Sequence, residues 1–225
     1  MNTRSCPSTL DIACLRPHEQ IDPLRLKELE RQLAKDGYQK DPIIVDEKHL
    51  IVIDGHHRTL ALKALGYHKV VAHKIKYTED DRIVLRTWYP VIKGPRRSLL
   101  KTLHNNIASP EPQVHNPKSP LLLLSDCQHT LKADRRTIMD CLLGKFKIEY
   151  VPDVETATRL VNSDEYAGAI LFGCINKEDV VKAALSGEIL PPKTTQHIVP
   201  DKPVNWFIPL ETLGNGVELE SERKE

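Results

Sequence analysis

With 225 residues, 40% of them hydrophobic, and a formal net charge of +1, the chain is long enough for one large or two small domains. The hydrophobic fraction is sufficient for a core, so a globally disordered chain is not expected. The near-neutral charge and the dispersed basic residues give no electrostatic reason to expect binding to nucleic acid or to a membrane surface.

Membrane insertion and secretion are not expected either. The longest apolar run, residues 121–124, is too short to cross a bilayer, and the N-terminal residues lack the sustained apolar segment of a signal peptide. The five cysteines are scattered and form no CxxC pair. We therefore expect free thiols in a reducing cytoplasm and no zinc site.

The first predicted elements are a helix and a pair of strands. Asp22 is a suitable N-cap, Pro23 suits the first helical position, leucines follow at helical spacing, and Gly37 is placed to end the helix. The apolar runs 42–45 and 50–53 are separated by a short polar stretch, which predicts a hairpin or a close pair of strands.

A second helix and two more strands are predicted next. Residues 60–65 are strong helix formers, and Gly66 is a candidate for the end of this helix. The segments 69–75 and 82–89 have the composition of strands. The first half is therefore predicted to be a compact α/β unit that ends near Pro90.

The second half begins with a segment of different composition. Residues 105–120 contain four prolines among Asn, Ser and Gln, which predicts a loop or linker. The elements predicted after it are strands over 146–151 and 167–173, helices over 154–161 and from the Asn176 cap to Gly187, and a proline-bounded loop over 188–200. The acidic and basic C-terminal tail is predicted to be frayed.

The junction between the 50–53 strand and the second helix concentrates ionisable residues. Asp54 ends the strand, Gly55 permits close approach of a ligand to the backbone, and His56, His57 and Arg58 follow at the helix start. Unpaired N–H groups and the helix dipole favour an anion at such a position. The pattern predicts a phosphate site with an acid beside it. The alternative is a helix start with solvated polar residues, and the spacing fits no standard P-loop.

The segment "DGHHRTLALKALG" (54–66) resembles the signature of the ParB/sulfiredoxin-like superfamily. Four segments occur in the order seen in free L-serine kinases of that superfamily: "LRPHEQ" (15–20), "VIDGHHR" (52–58), "TWYP" (87–90) and "PPKTTQHIVP" (191–200). The resemblance implies an α/β (α+β) fold, with a nucleotide-binding ParB/sulfiredoxin-like domain over 1–92 and a smaller α/β lobe over 93–225 that completes the substrate site. Residues 91–145 match no known pattern.

The resemblance also implies roles for individual residues. Glu19 would be the general base for the serine hydroxyl, and Asp54 a second catalytic carboxylate. From its position at the strand end, the Asp54 carboxylate can bind a magnesium ion or orient a hydroxyl. The nucleotide phosphates would be bound by Gly55, His56, His57, Arg58 and Thr59, and the substrate by His18, Trp88, Lys193, Thr194, Thr195 and His197. The expected ligands are L-serine, Mg²⁺, and ADP or ATP as phosphoryl donor. Closeness of the four segments to the archaeal ADP-dependent type of the family favours ADP slightly over ATP, and the oligomeric state stays open.

One position departs from the family pattern. The C-terminal loop of the family has an arginine where this chain has Gln196, and a neutral amide cannot replace a guanidinium fork.

The alternative function is a non-catalytic ParB-like regulator that senses a nucleotide or another small ligand. A sulfiredoxin-type reductase is disfavoured because histidines occupy the turn in place of cysteine. A DNA-partition protein is disfavoured because the charge is near neutral.

Overall fold

The computed structural model describes residues 7–107, 119–163 and 165–214. These residues form two compact units. The first takes the chain up to Val84, Asn176–Pro192 and the residues from His197 onward, and the second takes Leu85–Ile175 and Lys193–Gln196. Both units mix helices and strands, which confirms the predicted α/β (α+β) class. None of the described helices has the length and apolar content needed to cross a membrane.

The first unit is built on a four-stranded sheet. Its elements up to residue 75 are β1 (Ser8–Asp11), α1 (Pro23–Asp36), β2 (Tyr38–Lys40), β3 (Ile43–Asp46), β4 (Val52–Asp54), α2 (His56–Ala64) and β5 (Lys69–Ile75). The strand order is β1, β5, β3, β4, with β3 and β5 parallel and the other neighbours antiparallel. Every residue of β3 is buried, and α1 packs against α2.

Local signals position α1 and the strand pair. The Asp22 side chain accepts the N–H groups of Leu24 and Arg25, and Pro23 occupies the first turn. Gly37 ends the helix at φ +70°, a conformation that glycine adopts without a steric penalty. The predicted helix and the predicted β3–β4 pair are both confirmed.

The second unit is built on a five-stranded antiparallel sheet. Its elements, in chain order, are β6 (Val84–Arg86), whose first residue belongs to the first unit, β7 (Tyr89–Lys93), α3 (Arg96–Leu103), β8 (Leu121–Leu123), β9 (Gln128–Thr130), α4 (Arg135–Leu142), β10 (Lys147–Val151), α5 (Val154–Val161) and β11 (Tyr166–Leu171). The sheet order is β10, β7, β11, β8, β9. Neighbouring residues such as Val91 and Ile92 belong to different core clusters, so both faces of the sheet are covered.

The chain around residues 87 and 88 differs from the prediction. One strand was predicted over 82–89, but β6 and β7 are separate, and Thr87 and Trp88 between them bind the guanidinium of Arg135. Pro90 therefore lies inside β7 and does not end a unit. The predicted loop over 105–120 falls mostly, and the predicted frayed tail wholly, outside the described residues.

After residue 175 the chain completes the first unit, except for Lys193–Gln196, which belong to the second. This part contains α6 (Lys177–Ser186), β12 (Gln196–Ile198), whose first residue belongs to the second unit, β13 (Phe207–Pro209) and a 3-10 turn at Leu210–Leu213. The helix α6 is confirmed, with a capping box at Asn176 and Gly187 at φ +75°. Strand β12 lies where a loop was predicted.

The prediction divided the chain once, after residue 92, but the observed division into units differs from it. Strand β13 pairs with β2, and Leu210 and Leu213 are buried in the same hydrophobic core as α1 and β3. The residues after His197 therefore belong with the N-terminal segment, although they are distant from it in sequence. The predicted C-terminal lobe contained them because pairing between distant segments leaves no local signal.

Candidate active site

The turn between β4 and α2 requires glycine at position 55. Gly55 has φ +104°, and a Cβ added there would lie 2.5 Å from Cγ2 of the buried Ile43. No described side chain caps the start of α2, and Thr59 bonds the Gly55 carbonyl through both its N–H and its hydroxyl. The first-turn N–H groups therefore have no capping side chain, which is the arrangement that binds an anion.

Asp54 lies directly before this turn and contacts two cations. Its carboxylate forms an ion pair with Lys202 and a longer contact with Arg58, at 3.5 Å. Burial alone would raise the pKa of Asp54, but the charges of Arg58 and Lys202 outweigh it and hold the pKa below its usual value. Asp54 is therefore ionised. Lys202 lies outside every segment that carries the family resemblance and was not among the predicted site residues.

The Arg58 side chain binds the backbone between β2 and β3. Its Nη1 donates to the carbonyl oxygens of Lys40, Asp41 and Pro42 at 3.2, 2.7 and 3.1 Å. This nitrogen therefore has backbone acceptors already. The phosphate-binding role assigned to Arg58 stays a prediction.

Three histidines of the first unit lie in ring contact. The ring of His18 is 4.6 Å from that of His56 and 5.5 Å from that of His197, and the Tyr77 hydroxyl lies 2.8 Å from Nε2 of His197. Burial lowers the pKa of His18 to about 4, against the opposing effect of its hydrogen bond to Val52. Burial, with His18 nearby, lowers the pKa of His197 to about 3. Both rings are therefore neutral at pH 7.

The lowered pKa of His18 makes the stability of the protein depend on pH. Between pH 6.5 and about 4 the unfolded chain takes up protons that the folded chain does not, so the free energy of unfolding falls as the pH falls. The loss approaches about 1.4 kcal/mol per pH unit for such a group. In urea unfolding we expect the free energy of unfolding of His18→Asn to fall less steeply with falling pH than that of the parent. The asparagine amide can still donate a hydrogen bond to the Val52 carbonyl. The exposed His68→Asn is the control, and an unchanged slope in His18→Asn would contradict the assignment.

Glu19 lies on a segment that is fixed on both sides. On one side, Leu190 donates its N–H to the His18 carbonyl at 2.8 Å and accepts the N–H of Gln20 at 2.9 Å. On the other side, the His18 N–H donates to Nε2 of His56 at 3.4 Å. The backbone of Glu19 is therefore held next to the α2 turn.

A second link joins the starts of α1 and α2. His57 Nε2 accepts the backbone N–H of Asp22 at 3.1 Å, and Asp22 is the N-cap of α1. Nine of the predicted site residues belong to the first unit: His18, Glu19, Asp54, Gly55, His56, His57, Arg58, Thr59 and His197. The described residues contain no group of three or more His, Cys, Asp or Glu side chains arranged to hold a metal ion.

The remaining predicted site residues, Trp88, Lys193, Thr194 and Thr195, belong to the second unit. The Lys193 ammonium lies 5.0 Å from the centre of the Trp88 ring, a cation–π distance. Lys193 has a left-handed backbone at φ +61°. Thr194 and Thr195 are buried, and the buried Oε1 of Gln196 has no hydrogen-bond partner among the described residues.

Arg135, on α4, connects two of these residues. Its guanidinium donates to the Thr87 hydroxyl at 2.8 Å, to the Trp88 carbonyl at 3.0 Å and to the Lys193 carbonyl, and it stacks 4.3 Å from the Phe172 ring. Arg135 lies in the stretch 91–145, which matches no known pattern, and was not among the predicted site residues. Through these hydrogen bonds, the Arg135 guanidinium holds the backbones of Trp88 and Lys193 in fixed positions relative to each other.

Comparison with known proteins supplies the family. No family model matches the chain. It is 31% identical to an ATP-dependent L-serine kinase of Staphylothermus marinus, over 92% of this chain and 91% of the relative. It is 26% identical to the ADP-dependent L-serine kinase SerK of Thermococcus kodakarensis, over 91% of each chain.

A solved structure agrees in fold. A free serine kinase in complex with AMP has a TM-score of 0.78 to this chain at 22% identity, over 92% of this chain and 93% of the other. At that identity the likeness concerns the fold. Sequence identity over nearly the full length of both chains, together with this shared fold, assigns the protein to the L-serine kinase family.

Proposed function

We propose that the protein transfers the terminal phosphoryl group of ADP or ATP to the hydroxyl of free L-serine. The observation that carries the proposal is the placement of Glu19, whose backbone is fixed between Leu190 and the His56 ring, next to the uncapped turn of α2. A carboxylate carried by this segment would supply the base that proton removal during phosphoryl transfer needs. The names of the two relatives support the same reaction.

In this mechanism Glu19 accepts the proton of the serine hydroxyl. The hydroxyl oxygen forms a bond to the terminal phosphorus, and the bond from that phosphorus to the bridging oxygen breaks. The products are O-phospho-L-serine and the nucleotide shortened by one phosphate. The first-turn N–H groups of α2 bind the phosphates. Binding of the amino acid by His18, Trp88, Lys193, Thr194, Thr195 and His197 stays a prediction. Positioned charge stabilises such a transition state.

Magnesium fits the residues of the turn. Mg²⁺ at nucleotide sites commonly takes one or two carboxylates, with phosphates and water as its other ligands. Asp54 is an ionised carboxylate at the phosphate turn, so this residue would hold the ion. When bound, the ion would neutralise phosphate charge, and the contacts of Asp54 with Lys202 and Arg58 would have to adjust.

The proposed compartment is the cytoplasm. The four cysteines within the described residues, Cys14, Cys127, Cys141 and Cys174, are free thiols, and free thiols suit a reducing compartment. L-serine and an adenine nucleotide are the proposed partners. The near-neutral charge gives no reason to add nucleic acid or a membrane surface as a third partner.

The test is phosphoserine formation from serine and Mg²⁺ with either ADP or ATP, each freed of the other nucleotide and of adenylate kinase. We expect one donor to be at least about tenfold faster, because displacing the reacting phosphorus by about an ångström is costly. The motifs slightly favoured ADP, but the relative with 31% identity is named ATP-dependent, so we expect ATP to be faster. Equal rates would show that the site does not fix the donor. Nucleotide binding without phosphoserine would support the non-catalytic regulator instead.

A further inference from the structure

Lys202 lies in a segment that is anchored at both ends. Before it, Asp201 pairs with Arg82 at 3.2 Å. After it, Trp206 exchanges two hydrogen bonds with Asp41, one from the Asp41 N–H to the Trp206 carbonyl at 2.9 Å and one from the Trp206 N–H to the Asp41 carboxylate at 3.0 Å. The backbone around Lys202 is therefore fixed, and its side chain reaches the Asp54 carboxylate.

The basic side chains of the turn already form hydrogen bonds within the protein. Nη1 of Arg58 donates to three backbone carbonyls, and the Nε2 atoms of His56 and His57 accept backbone N–H groups. Those two ring nitrogens therefore carry no proton toward a ligand. Lys202 differs, because an ammonium has three N–H donors and a flexible stem, while its partner among the described residues is Asp54 alone.

Asp54 directly precedes Gly55 and the uncapped start of α2. An anion bound to the first-turn N–H groups would therefore be close to a cation paired with Asp54. Such an anion also competes with the Asp54 carboxylate for that cation, because phosphate oxygens are strong acceptors for an ammonium.

We propose that Lys202 is a phosphate-binding residue of the nucleotide site and that its ammonium moves from Asp54 to the nucleotide phosphate when the nucleotide binds. This inference rests on the proposed function, since it assumes that the α2 turn binds nucleotide. The exchange replaces one carboxylate partner of Lys202 by a phosphate and releases the Asp54 carboxylate for a metal ion.

The test is calorimetric titration of ADP and ATP into the protein in metal-free buffer. We expect Lys202→Met to raise the Kd about tenfold, the effect of losing one charge-assisted hydrogen bond, and Lys202→Arg to stay within a few-fold of the parent. Lys182→Met, an exposed lysine on α6 of the same unit, is the matched control and should bind like the parent. Thermal unfolding of each variant confirms that it is folded.

The variant Asp54→Asn separates direct from indirect action. Removal of Lys202 also leaves the Asp54 charge with only its longer contact to Arg58, and the less compensated charge repels phosphate. We expect Asp54→Asn to bind nucleotide more tightly than the parent, and the double variant Asp54→Asn with Lys202→Met to bind about tenfold more weakly than Asp54→Asn. If the double variant binds as Asp54→Asn does, Lys202 acts only through Asp54 and the inference is overturned.

These titrations measure binding and not turnover, so the two proposals can fail separately. A protein that makes no phosphoserine but loses affinity in both Lys202→Met backgrounds supports the inference and contradicts the serine kinase activity. An active kinase whose nucleotide Kd is unchanged in Lys202→Met overturns the inference alone. A parent protein that binds neither nucleotide overturns both.

Discussion

Replacement of Glu19 by glutamine is expected to lower the turnover number for serine phosphorylation by roughly 10²–10⁴ while the nucleotide Kd stays within about twofold. The amide keeps the shape of the side chain but cannot accept the hydroxyl proton, and this range is the usual contribution of a positioned general base. The backbone hydrogen bonds of His18 and Gln20 to Leu190 do not involve the replaced carboxylate, so the segment should keep its position.

The measurement is the initial rate at saturating serine and nucleotide, together with a calorimetric Kd for the nucleotide. Glu28→Gln, an exposed glutamate on α1 of the same unit, is the matched control and should match the parent in both. Full turnover in Glu19→Gln would remove Glu19 from the mechanism. A parallel rise in Kd would show that the carboxylate instead organises the nucleotide site.

Replacement of Gly55 by alanine is expected to destabilise the first unit by about 2–5 kcal/mol. A left-handed backbone costs a residue with a Cβ about 1–2 kcal/mol, and forcing an atom into a packed core costs about 1–3 kcal/mol more. The new Cβ would lie 2.5 Å from Cγ2 of Ile43, which is fully buried in the central strand β3 and cannot move away cheaply.

Gly187 provides the control for this substitution. It also has a left-handed backbone, at φ +75°, but a Cβ there would meet no described atom within 4 Å. Gly187→Ala should therefore show the conformational cost alone, and its difference from Gly55→Ala in urea unfolding measures the collision with Ile43. Equal losses of stability in the two variants would contradict the close packing of the turn against β3.

The parts of the fold that depend on near neighbours in the sequence could be predicted. The cap at Asp22, Pro23 and the terminal Gly37 define α1 within one segment, and they predicted its bounds. The Asp54–Thr59 turn was recognised for the same reason, because its glycine, its polar residues and its helix start are contiguous. Its burial against Ile43 was not visible in the sequence.

The parts that depend on distant residues could not be predicted. Lys202 reaches Asp54 from a position 148 residues later, and Arg135 binds Trp88 and Lys193 from positions 47 and 58 residues away. No local pattern distinguishes these two side chains from other basic residues of the chain. The separation of β6 from β7 has the same origin, since Arg135 binds the two residues that interrupt the predicted strand.

The return of the chain to the first unit has a consequence for the order of folding during synthesis. Strand β2 leaves the ribosome early, but its partner β13 and the core residues Leu210 and Leu213 are made about 170 residues later. The sheet of the second unit, by contrast, is complete once β11 has emerged. The four-stranded sheet of the first unit can form once β5 has emerged, but its hydrophobic core lacks Leu210 and Leu213 until the second unit has been made. The second unit can therefore complete its sheet before the first unit completes its core, which departs from the usual N-terminal-first order.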